Sequence, residues 1–282
     1  MRTILLLRCP DQTGIIARYS ALICDAGGNI LRSDQYSTHP QGGEFFMRVE
    51  FDWSPAPEEQ AAFAEQCRVH AEALGGSVRL YDARDRMRMA IAVSQYDHCL
   101  IDLLYRVRAG ELSAEVACVV SNHEVLRPLV ENDGIEFVHL PVNAATKAEQ
   151  EAAFLEAVAG RSDFLVMARY MQILSDDFLR GYGKDVINIH HSFLPGFKGA
   201  NPYRQAYERG VKVIGATAHF ATPELDEGPI IEQMVDRVSP RDDVEQLKRK
   251  GRHLEQQALA RAVQAYIEHR VIRLAQRTVV FE

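Results

Sequence analysis

Between residues 89 and 190, five apolar runs alternate with helical patterns, and this alternation constrains the fold more than any other feature. The runs are MAIAVS (89–94), AEVACVVS (114–121), EFVHLPV (136–142), DFLVMA (163–168) and VINIH (186–190). Helical spacing fills 97–109, 124–132, 147–160 and 175–181 between them. Strands that are apolar on both faces and joined by helices form a mostly parallel, doubly wound α/β sheet with both faces covered. Two further strands, 213–221 and 230–238, are separated by a connection too short for a crossover helix, which fits an antiparallel pair. A long helix over 242–270 and a strand, RTVVF, close the chain.

The first eighty or so residues carry a different pattern. TILLLRC (3–9), NILRSDQYST (29–38), GEFFMRVEF (43–51) and SVRLYD (77–82) read as strands. Helices over 14–28 and 57–76 each end on a Gly-Gly pair, a helix stop. HPQGG (39–43) joins the middle strands as a hairpin turn. The order βαββαβ predicts a small α+β ferredoxin-like unit. The charged, non-periodic ARDRMR (83–88) serves as linker, so the expected division is 1–84 and 85–282.

Several classes of function are excluded by composition. A net charge of −7 argues against nucleic acid as the main partner, which needs clustered positive charge. The one basic cluster, LKRKGR (247–252), falls in a helical pattern and reads as a solvated face. Cys9, Cys24, Cys67, Cys99 and Cys118 include no close pair, which argues against a disulfide framework or a zinc site and fits a reducing compartment. No stretch has the roughly 18 consecutive apolar residues of a membrane helix, and the first residues read as a strand instead of a signal peptide. A cytoplasmic protein without membrane partners is expected.

The polar residues at the strand ends point to chemistry. In open α/β sheets, ligands sit beyond the carboxyl ends of the strands. Asn188 and His190 stand two apart at such an end, so both face one side of the strand. His191 follows at once, before the break at Pro195 and Gly196. Asp226 lies in a loop, LDEGPII, that could fold back on this strand end, and His219 sits inside the apolar ATAHF. An amide can donate to a carbonyl oxygen as it gains charge, and a carboxylate-paired imidazole can donate or relay a proton. Together they suit acyl chemistry. Ser192 is close but lacks a G-x-S-x-G elbow, and no glycine-rich phosphate loop follows 89–94. The histidines lack the helical i, i+4 spacing of a zinc motif, so no metal is expected.

NIHHSFLPGFKGANPY (188–203) and GATAHFATPELDEGPII (215–231) resemble the folate-dependent formyltransferase fold. The resemblance implies that Asn188, His190 and Asp226 are catalytic, with His191 and His219 as possible support. MARYMQILS (167–175) resembles that family's folate-pocket segment. It implies substrate contacts from Arg169, Tyr170, Met171, Gln172, Ile173 and Leu174, with Ala221, Thr222 and Leu225 opposite. CPDQTGIIARYSALICDAGGNI (9–30) resembles an ACT domain. That implies a regulatory or assembly role, an amino-acid effector near Asp11, Gly14, Gly28 and Asn29, and a homo-oligomer, dimer or tetramer. The combination is similar to the hydrolytic branch of the fold. Its expected reaction is hydrolysis of 10-formyltetrahydrofolate to formate and tetrahydrofolate, supplying formate for purine synthesis and balancing one-carbon folate pools. Folate would be a substrate and not a retained cofactor. VSQYDHCLIDLLYR (93–106) supports this branch, because it places bulky residues and Asp97 where transferases carry a glycine-rich phosphate loop. The alternative is a formyltransferase that uses an amine acceptor.

Overall fold

The computed structural model describes residues 1–39, 42–196 and 202–282; the tip of the HPQGG turn and residues 197–201 of the NIHHSFLPGFKGANPY segment lie outside them. The chain divides into two compact units. The first contains β1 (Arg2–Pro10), α1 (Ile15–Asp25), β2 (Asn29–Ser37), β3 (Glu44–Asp52), α2 (Pro57–Ala73) and β4 (Ser77–Asp82). Its antiparallel sheet has the order β2-β3-β1-β4, the ferredoxin-like arrangement. Period-2 alternation sends Phe45, Met47, Val49 and Phe51 to one face of β3. Ile15, Tyr19 and Ile23, one helical turn apart on α1, cover that face and are fully or almost fully buried.

The opposite face of β3 explains a difference from the expected boundary. Phe46 and Arg48 point there and are also buried. Arg48 Nη2 donates to the carbonyl of Glu268 at 3.0 Å, and Tyr81 stacks on His269 with ring centroids 3.7 Å apart. Residues 268–272 and 279–282 therefore belong to the first unit, although the sequence pattern assigned all of 85–282 to the second. A charged strand residue such as Arg48 hides this coverage, because it reads as solvent-facing until its carbonyl partner is known.

The second unit spans 86–267 and 273–278. It contains β5 (Met87–Val93), α3 (His98–Arg108), β6 (Ala114–Ser121), α4 (Arg127–Asn132), β7 (Phe137–His139), α5 (Lys147–Val158), β8 (Phe164–Met167), α6 (Asp176–Tyr182) and β9 (Val186–His190). Then come α7 (Pro202–Glu208), β10 (Val213–Phe220), β11 (Ile230–Arg237) and the long α8 (Val244–Ile267). β12 (Val271–Leu274) and β13 (Arg277–Val280) form a two-stranded sheet. The sequence pattern missed α7 and β12. The main sheet has the order β11-β10-β9-β8-β5-β6-β7, parallel from β9 to β7, with β10 antiparallel to both β9 and β11. Ile91, Val119, Leu165, Val166 and Ile187 are fully buried, as strands covered on both faces require.

Candidate active site

The carboxyl ends of β5, β8 and β9 share one edge of the main sheet, and a cavity of about 1030 Å³ lies beyond it. Asn188, His190, His191, His219 and Asp226 all line this cavity, as do Arg169 to Leu174, Ala221, Thr222 and Leu225. Folding thus brings together every residue expected at the catalytic and substrate sites. β9 presents Asn188 and His190 on one face. β10 runs back beside it with His219 opposite Asn188 and Thr217 opposite His190.

Asp226 arrives from the loop after β10. Phe220 N–H donates to the Pro229 carbonyl at 2.9 Å, pulling the loop closed. Gly228 makes this closure possible, since a Cβ there would sit 1.7 Å from the Phe220 carbonyl oxygen. Asp226 adopts a left-handed conformation, φ 58°, one that Asp and Asn tolerate better than most residues. Its Oδ1 lies 3.2 Å from His190 Nδ1 and 3.7 Å from His219 Nε2. Burial pushes the Asp226 carboxyl up, but its pairing with the His190 imidazole above all offsets this and holds it well below the usual carboxylate range.

The other end of His190 is tied down as firmly. Its Nε2 is 2.8 Å from Ser192 Oγ, and that hydroxyl donates to the Gly196 carbonyl at 3.1 Å. Thr217, fully buried, donates to the Ser192 carbonyl and accepts from Leu194 N–H, so the turn after β9 is clamped to β10. Burial is the main cause that pushes His191 down to about 4, with Arg169 adding to it, so His191 is neutral at physiological pH.

The segment after β8 forms one wall. Ser94, at the end of β5, accepts from Met171 N–H at 3.0 Å and donates to Asn122 at 2.7 Å. Tyr170 and Leu174 turn into the core, while Met171 and Ile173 are about half exposed on the cavity side. With exposed Leu225 across from them, they give the cavity an apolar lining suited to an aromatic ring system.

Glu255, His98 and Tyr203 line the cavity but were not legible as site residues. Glu255 on α8 is 2% exposed, and its oxygens accept from His98 Nε2 and Tyr203 Oη at 2.8 Å each. Arg169 Nε lies 3.3 Å from the same carboxylate. Burial would raise the Glu255 carboxyl, but His98 and Arg169 outweigh it and lower it. Gly251, one turn earlier, makes room for Tyr203, because a Cβ there would lie 1.9 Å from the Tyr203 hydroxyl. The available signal was a carboxylate inside the apolar stripe Leu247, Gly251, Leu254, Ala258. His98, Cys99 and Glu255 are the one group among the described residues that could approach a metal ion. Its carboxylate already serves Tyr203, His98 and a cation, and burial raises the Cys99 thiol well above its ordinary range. This is a buried hub of two hydrogen bonds and one ion pair, in which Arg169 Nε makes no hydrogen bond. Lys248 and Arg252, read as part of a solvated face, also line the cavity.

The four residues expected near an effector do not converge within one chain. Asp11 accepts from Ser37 and Gly14 caps α1 at its start, whereas Gly28 and Asn29 follow its end. An 11-residue helix places those ends about 16 Å apart. Gly28 serves packing, since a Cβ would meet Ile23 Cγ2 at 2.7 Å.

The formyl transferase family matches residues 87–263, all within the second unit. A glycinamide ribonucleotide transformylase from Symbiobacterium toebii superimposes with a TM-score of 0.65 at 30% identity, over 70% of this chain and 95% of its own. Relatives of another kind match from end to end. The formyltetrahydrofolate deformylase of Bacillus subtilis (strain 168) is 48% identical over 98% of this chain and 93% of its own length. The crystal structure of a formyltetrahydrofolate deformylase from Pseudomonas syringae pv. tomato covers all of this chain and 95% of its own, with a TM-score of 0.94 at 44% identity. The chain belongs to the formyltetrahydrofolate deformylase family. Both units are covered by the match to the full-length deformylases. Among the described residues, no helix is long and apolar enough to cross a membrane.

Proposed function

We propose that this chain hydrolyses 10-formyltetrahydrofolate to formate and tetrahydrofolate. The observation that carries the reading is the convergence of the Asn188 amide and the His190 imidazole on one strand end, with the Asp226 carboxylate 3.2 Å behind the ring. The pterin lies along 169–174 and 221–226, which places the formyl group at Asn188 and His190. His190 Nε2 lies 2.8 Å from Ser192 Oγ, while its Nδ1 faces the Asp226 carboxylate at 3.2 Å. In the proposed mechanism His190 acts as an imidazolium paired with the Asp226 carboxylate.

Water attacks the formyl carbon. Asn188 N–H and the charge on His190 stabilise the oxygen as it becomes anionic. Asp226, too acidic to keep a proton, supports the His190 charge and relays the water proton, directly or through a further water, toward N10. The hydroxyl stays on carbon, the C–N10 bond breaks, the proton ends on N10, and formic acid ionises as it leaves. No step requires a cofactor or metal. The formate would feed purine synthesis in the cytoplasm.

The test is purified protein with 10-formyltetrahydrofolate as sole substrate, following formate. Formate is expected without any amine acceptor. Excess glycinamide ribonucleotide should not divert the formyl group, and its stoichiometric formylation would replace the hydrolase by a transferase. The first unit is read as an ACT-like regulatory and assembly domain. Edge strand β2 exposes Ile30, Leu31 and Tyr36, which suits pairing with a second copy into a dimer or tetramer. An amino-acid effector is tested by thermal shift of the intact chain, where no shift with any amino acid removes that part of the reading.

A further inference from the structure

A primary amide is a donor at one end and an acceptor at the other, and only its donor end can stabilise an oxyanion. Something must therefore choose which end of Asn188 is presented. The antiparallel register sets His219 of β10 directly opposite Asn188 of β9, at a point where the β10–β11 register shifts between Ala218 and His219. His219 is 2% exposed, so its ring has few partners to choose from. Its Nδ1 lies 3.0 Å from the Phe220 carbonyl oxygen. A carbonyl oxygen only accepts, so Nδ1 carries the ring proton. Its Nε2 lies 3.1 Å from Asn188 Nδ2. An amide nitrogen only donates, so Nε2 is bare and accepts. Asp226 Oδ1 is 3.7 Å from Nε2, beyond hydrogen-bond reach.

We infer that His219 is a positioning residue: held as the neutral Nδ1–H form by the Phe220 carbonyl, it binds one N–H of Asn188 and leaves the other for the formyl oxygen. A reversed amide would set its carbonyl oxygen against the bare Nε2, lone pair against lone pair. Asn188 cannot enforce this choice alone, since its two ends have nearly the same shape. This inference rests on the reading of Asn188 as the oxyanion donor.

The experiment measures kcat and KM for formate release in His219→Leu and His219→Gln, each alone and combined with Asn188→Ala. His219→Leu removes the acceptor and should lower kcat about a hundredfold, the cost of a lost oxyanion donor, with KM little changed. His219→Gln can present Oε1 where Nε2 stood and should stay within about tenfold of the parent. In the Asn188→Ala background, His219→Leu should cost less than about threefold, because the residue it acts through is gone. An equal cost in both backgrounds overturns the inference. If Asn188→Ala lowers kcat and His219→Leu does not, the inference fails while the role of Asn188 stands. If Asn188→Ala leaves kcat unchanged, the oxyanion reading itself fails. The unsubstituted protein supplies a readout independent of variant folding. ¹⁵N-histidine NMR of the neutral ring should show the His219 proton on Nδ1 with Nε2 bare, and a neutral ring protonated on Nε2 would overturn the proposal.

Discussion

Asp226→Asn isolates charge from shape. The two side chains are nearly isosteric, and Asn tolerates the left-handed backbone at φ 58° that this position demands. The loop closure through Phe220 and Pro229 uses backbone atoms only and is untouched. What disappears is a negative charge 3.2 Å from His190 Nδ1. At an effective dielectric of about 20, that pair is worth about 5 kcal/mol. The amide oxygen still accepts a neutral hydrogen bond worth about 1 kcal/mol. About 4 kcal/mol of support for a cationic His190 is lost, close to three decades in rate. Steady-state formate release should show kcat down by two to four decades, with KM nearly unchanged. A folded variant with kcat within about tenfold of the parent would refute the reasoning. Because Asp226 is already held well below the usual carboxylate range, an acid limb above about pH 4 in the parent belongs to another group.

Gly228→Ala places a methyl against a backbone oxygen that cannot turn away, so the loop must shift and carry Asp226 with it. A displacement of roughly 1 Å should cost about a hundredfold in kcat, and unaltered turnover would show that the loop absorbs the methyl without moving Asp226. Glu255→Ala strands buried Arg169 without its counter-charge and leaves Tyr203 and His98 without their acceptor. Urea unfolding should show a loss of about 3–5 kcal/mol, and a loss below about 1 kcal/mol would mean the hub relaxes into solvent. His191 and His269, each pushed by burial from 6.5 to about 4, bind fewer protons folded than unfolded across that window. Their contribution is complete above 6.5 and is lost as pH falls toward 4, by about 2 kcal/mol each at about pH 5. Urea midpoints that do not change between about pH 7 and 5 would contradict this.

Local pattern determined much of this protein. Continuous apolar runs alternating with helical spacing specified the parallel sheet, because strands covered on both faces leave that signature. The i, i+2 spacing of Asn188 and His190 specified a shared face, because β geometry permits nothing else. The LDEGPII loop announced a turn, through Gly and Pro, beside an acidic residue. None of these patterns contained a distance between strands. That Asn188 faces His219 depends on the antiparallel register of β9 and β10, and a slip of one residue would turn His219 to the opposite face of the sheet. The hub at Glu255 unites residues 98, 169, 203 and 255, which meet only because α3, the end of β8, α7 and α8 converge on one cavity. The coverage of β3 by residues 268–272 was equally hidden, for Arg48 looks solvated until the Glu268 carbonyl reaches it. Periodicity is a local consequence of backbone geometry and survives in the sequence. Proximity between distant segments is set by the closing of the whole sheet, and only the folded chain contains it.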